Sequence, residues 1–116
     1  MFDPKNYTSK VEDRSITYRF PVEVVSDTVS RVLDLNIFHY AGRGFSASVA
    51  PVTLTKRDGY VTESFMIFSS KRLGDRSVAR FSAKKMAEFG QDMLAEFQAS
   101  WEHPSYQELI NAPAEV

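Results

Sequence analysis

A chain of 116 residues with 43% hydrophobic and 13% aromatic content has room for one packed core and little for two. The absence of cysteine excludes disulfides and thiolate metal sites, and a net charge of −1 excludes a uniformly basic or acidic protein. No apolar run approaches the roughly 20 residues of a spanning helix, and Met1 to Tyr7 lacks the basic start and apolar stretch of a signal peptide. A cytoplasmic location with no membrane contact is therefore expected.

In chain order, residues 1–13 are polar and without period, which predicts a loose N-terminal arm. Ile16, Tyr18 and Phe20 alternate with Ser15, Thr17 and Arg19, the signature of a strand, before Pro21 interrupts it. Ser26 or Asp27 can cap a short helix running to about Leu35, with Val25, Val29, Val32 and Leu33 as its apolar stripe. A second strand from about Leu35 to Tyr40 follows, and Gly42 and Gly44 mark a turn. Phe45 to Arg57 reads as one or two strands with Pro51 at an edge or bulge.

Asp58-Gly59 suits a two-residue type I′ turn and sets a hairpin register. Arg57 then pairs with Tyr60, Thr55 with Thr62 and Thr53 with Ser64 on one face. Leu54 with Glu63, Val52 with Phe65 and Ala50 with Ile67 form the other, more apolar face, which is expected to be the core side. A loop from Ser69 to Asp75 leads to a strand from Arg76 to Phe81. Ser82 caps the longest helix, from Ala83 to about Glu102, in which Met86, Phe89, Met93, Leu94, Phe97 and Trp101 recur at helical spacing and Gly90 allows close approach to the sheet. Pro104 stops it, Ser105 caps a last turn through Ile110, and residues 112–116 form a frayed tail.

Strands in succession with helices flanking them predict a single α+β domain over 1–116: a curved antiparallel sheet of about five strands, one short helix in the N-terminal half, and a long amphipathic C-terminal helix laid on the sheet. In element order this resembles the short helix-grip and cystatin-like layouts, a likeness that implies no function.

Two motif fragments fail on context. Residues 42–47 fit G-x-G-x-x-A, but strand-forming residues and Pro51 follow where a nucleotide-binding unit needs a helix. Arg43-Gly44-Phe45 begins like an RNA-stacking sequence, yet Ala47 and Ala50 stand where its aromatic rings belong. His39 and His103 have no neighbours at ligand spacing, and neither metal nor cofactor is expected.

Charge is segregated along the chain. Residues 43–85 carry nine basic and three acidic side chains, and residues 86–116 carry six acidic and no basic ones. Arg43, Arg72, Arg76, Arg80, Lys84 and Lys85 are the candidates for anion or nucleic-acid binding, with aromatic residues interleaved among them. Glu88, Asp92 and Glu96 recur every fourth residue, an acidic ridge that could dock a protein partner or a second copy, or serve only as a solvated helix face. Glu63, an acid on an apolar face, reads either as a raised-pKa catalytic group or, more simply, as half of an ion pair with Lys56.

The leading functional expectation is a non-enzymatic binding or adaptor domain acting through protein–protein contacts, with self-association included. Binding of single-stranded nucleic acid or another polyanion through residues 43–85 is the alternative. A small-ligand pocket between the sheet and the C-terminal helix, with Tyr18, His39 and Glu63 as candidate lining residues, is the third.

Overall fold

The alternation at Ile16, Tyr18 and Phe20 is repeated by Leu33, Leu35 and Ile37 and by Phe45, Ala47 and Val49, and these nine side chains form one apolar face of a single sheet. The computed structural model describes residues 1–65, 69–77 and 80–114. Its strands are β1 (Thr8–Glu12), β2 (Ser15–Val24), β3 (Val29–Tyr40), β4 (Gly44–Arg57), β5 (Tyr60–Phe65) and β6 (Lys71–Arg76), followed by α1 (Ala83–Ser100) and α2 (Pro104–Ile110). The sheet is antiparallel, in the order β1-β2-β3-β4-β5, and β6 also pairs with β4. β5 and β6 share one edge of β4: β5 takes Val52 to Arg57, and β6 takes Phe45 to Val49. Pro51 lies between these two segments, where a missing N–H does least harm to the ladder.

The helices cover only the apolar face. Met86, Phe89, Leu94 and Phe97 of α1 and Tyr106, Leu109 and Ile110 of α2 are buried against it. Ser82 accepts the Lys85 N–H as the expected cap. A Cβ on Gly90 would stand 3.0 Å from the Tyr18 hydroxyl and within 3.6 Å of Ile16 and Ile37, so the bare glycine lets α1 approach the strands closely. The α+β class and the curled antiparallel sheet are as the pattern predicted. Asp58 (φ 52°) and Gly59 (φ 82°) make the expected turn, and β4 and β5 pair in the expected register from Arg57–Tyr60 to Val52–Phe65.

Other expectations are corrected. No helix spans residues 26–35, because Val29 to Leu35 is the first half of β3. Ser26 Oγ accepts from the Thr28 and Val29 N–H groups, tightening the β2–β3 turn rather than capping a helix. Val29 and Val32 of the supposed stripe are strand residues of β3, and Val25 lies in the turn before it. The N-terminal arm is not loose over its length: residues 8–12 form β1, and Phe2 is buried against Phe20, Phe97 and Trp101. Residues 71–76, read as a loop and the start of a strand, are β6, while 78–79 of the expected Arg76–Phe81 strand lie outside the described residues. His103, not Ser105, caps α2 by accepting the Ser105 N–H.

Candidate functional site

The face of the sheet opposite the helices forms a groove of about 650 Å³. Side-chain alternation builds it row by row across the strands. Lys10, Thr17, Asn36 and Ser48 are cross-strand neighbours in one row, and Arg19, Asp34 and Ala50 in the next. Phe38 lies at one end, and Val52, Phe65 and Glu63 close the side formed by β4 and β5. Lining residues come from every strand from β1 to β5, so the sheet curls around this face.

Arg19 is the central charge of the groove. Its Nε and Nη2 donate to the two oxygens of Asp34 at 2.9 Å each, a bidentate fork, and its Nη1 donates to Glu63 Oε1 at 2.8 Å. Asp34 is almost wholly buried, whereas the Glu63 side chain is 48% exposed. The hydrogen bonds that Arg19 donates to Asp34, and to Glu63 beside it, drive the already high guanidinium pKa higher still. Arg19 in turn holds the Glu63 carboxyl below its ordinary value. Thr17 donates to Asn36 at 3.1 Å, and Lys10 meets Glu12 at 3.2 Å.

Glu63 therefore belongs to an ion pair, but with Arg19 rather than Lys56, and its pKa moves opposite to that of a raised-pKa acid. Its face is not the core face either. The hairpin register is as expected, yet the helices pack on the other side, which leaves Phe65 59% exposed. β4 carries apolar residues on both faces, so alternation alone could not say which one α1 covers. Ile67 lies outside the described residues.

The three residues expected to line one pocket are not brought together. Tyr18 is buried beneath α1, where burial raises its pKa, and its hydroxyl accepts from Gln91 at 3.4 Å. His39 is buried on the helix face between Phe45 and Phe81, and its Nδ1 accepts from Arg14 at 3.1 Å. Its Nε2 has no partner among the described residues. The space between sheet and helices is filled by Phe89 and Phe97, so the groove lies on the opposite face from the one expected.

The charged candidates are dispersed. Glu88, Asp92 and Glu96 are exposed along α1. Asp92 pairs with Arg76 at 2.8 Å within the chain, and the Arg76 guanidinium lies over the Phe89 ring. Arg72 pairs with Asp75. Arg43 is in the β3–β4 turn, Arg80 precedes α1, and Lys84 and Lys85 are in its first turn, all four exposed. Phe45 of the RNA-like fragment is buried in the core, so it offers no stacking face. Among the described residues, no group of three or more His, Asp or Glu could hold a metal ion, and no helix is long and apolar enough to cross a membrane.

The sequence reading missed Arg19 and Asp34. The available signal was two charges placed within strongly alternating strands, on the side opposite the aliphatic residues. No family model, curated protein or solved structure matches this chain.

Proposed function

We propose that this protein is a non-enzymatic binding domain whose ligand seats in the groove on the free face of the sheet. The observation that carries this reading is the groove itself. Its volume falls in the range typical of ligand sites, about 300–1,000 Å³. Its wall combines apolar area from Phe38, Ala50, Val52 and Phe65 with hydroxyl and amide groups from Thr17, Asn36 and Ser48. Its strongest charges are fixed by one another, an arrangement suited to holding a shape rather than moving protons. Ala50 points into the middle of the groove, so Ala50→Trp fills it without removing a polar contact. In a fragment screen read by protein amide shifts, hits should map to groove residues and vanish in Ala50→Trp. Hits that map to α1 or the hairpin tip and survive the substitution contradict the reading.

A protein partner docking at the edge of the sheet is the second reading. Every residue of β5 is exposed, including Tyr60, Val61 and Phe65, and among the described residues β5 pairs only with β4. An exposed apolar edge strand is a template for pairing with another chain.

A further inference from the structure

The charge balance of the groove specifies the chemistry of its ligand, an inference that rests on the groove being the binding site. Lys10 and Arg19 stand against Glu12, Asp34 and Glu63, one carboxylate in excess. Lys10 pairs with Glu12 and also bears on Glu63 at longer range, and Arg19 is shared between two carboxylates, with the buried Asp34 holding it bidentately. The surplus is shared by the exposed carboxylates Glu12 and Glu63, of which Glu63 lies beside the apolar wall. Only its Oε1 is engaged among the described residues, its side chain is half exposed, and it borders the Phe65 and Val52 wall.

The geometry points to a small organic cation as the ligand: an amine whose ammonium group pairs with Glu63 and whose apolar body lies on Val52 and Phe65. An anion drawn toward Arg19 meets the carboxylates of Asp34 and Glu63 at the same place and is repelled. A neutral apolar molecule fills the wall but leaves the surplus charge unanswered. The cation does both, and its charge-assisted hydrogen bond is of the stronger kind.

The test compares 4-phenylbutylamine with 4-phenylbutyrate, two probes that share an apolar body and differ in the sign of their charge. Titrations of the whole chain are followed by amide shifts of Thr17, Asp34, Ala50 and Glu63. The amine should shift these signals saturably, the carboxylate should not, and Glu63→Gln should weaken amine binding about tenfold. Phe65→Ala should weaken it too, with Glu63 intact. Added salt should lower amine affinity, because the pair is partly exposed. Equal or tighter binding of the carboxylate, or amine binding indifferent to Glu63→Gln, overturns the assignment of a cation while leaving the groove as a site. If neither probe moves the groove signals and fragment hits also fall elsewhere, the binding-site reading fails and takes the cation with it.

Discussion

Arg19 holds its two carboxylates unequally, and its hold on the exposed one, Glu63, is measurable through pH. Asp34 is buried and takes two hydrogen bonds, whereas Glu63 is half exposed and takes one. Because the folded pKa of Glu63 lies below its ordinary value of 4.5, the Glu63–Arg19 pair adds stability at neutral pH. That contribution is complete above the unfolded value and is lost as pH falls through the lower folded one. Exposure keeps it to about 1 kcal/mol or less. Urea midpoints of the parent and Glu63→Gln should therefore differ slightly at pH 7 and converge as pH falls below about 4. A gap that widens in acid would mean that Arg19 does not hold Glu63. The same carboxylate shows how far a single residue could be read in advance. Its partner in an ion pair was expected, but the identity of that partner was not, since Arg19 lies 44 positions away and meets it only once β2 to β5 have curled.

At the level of elements, local chemistry made some segments legible and left others blank. Asp58-Gly59 has few backbone options, so the turn fixed the β4–β5 register residue by residue. Ser82 and the spacing of Met86, Phe89 and Phe97 marked α1 in the same way. Val29 to Leu35 has apolar residues that fit a helical stripe and a strand equally well, and pairing with β2 and β4 decided for the strand. β1 is exposed on both faces, so its sequence carries no period to detect. The groove was not legible at all, because its lining is gathered from five strands and reads in the chain as scattered polar positions. β5 supplies the prediction at this scale. If its edge pairs with a second copy, the parent should show a dimer mass in solution at about 100 μM, and Val61→Lys, a charge placed in an apolar edge strand, should return the monomer. A parent that is monomeric at that concentration removes self-association through β5.

For the molecule as a whole, the two faces of the sheet have different fates. One is sealed by α1, α2 and the ring of Phe2, and the other is left open and curled around the Arg19 cluster. The opposed charge blocks of the chain are partly drawn together by folding, since Arg76 of β6 binds Asp92 of α1. The proposed binding therefore rests on the groove rather than on the charge segregation. The absence of cysteine makes this division directly testable. Ala47 and Ala50 are three residues apart on β4, the first fully buried under the helices and the second in the groove wall. In separate A47C and A50C variants, the rate of reaction with a thiol reagent under native conditions reads which face is open. The account predicts fast labelling of A50C and labelling of A47C slower by roughly 100-fold or more, limited by opening of the helix layer. Equal protection at both positions, or faster reaction of A47C, would contradict it.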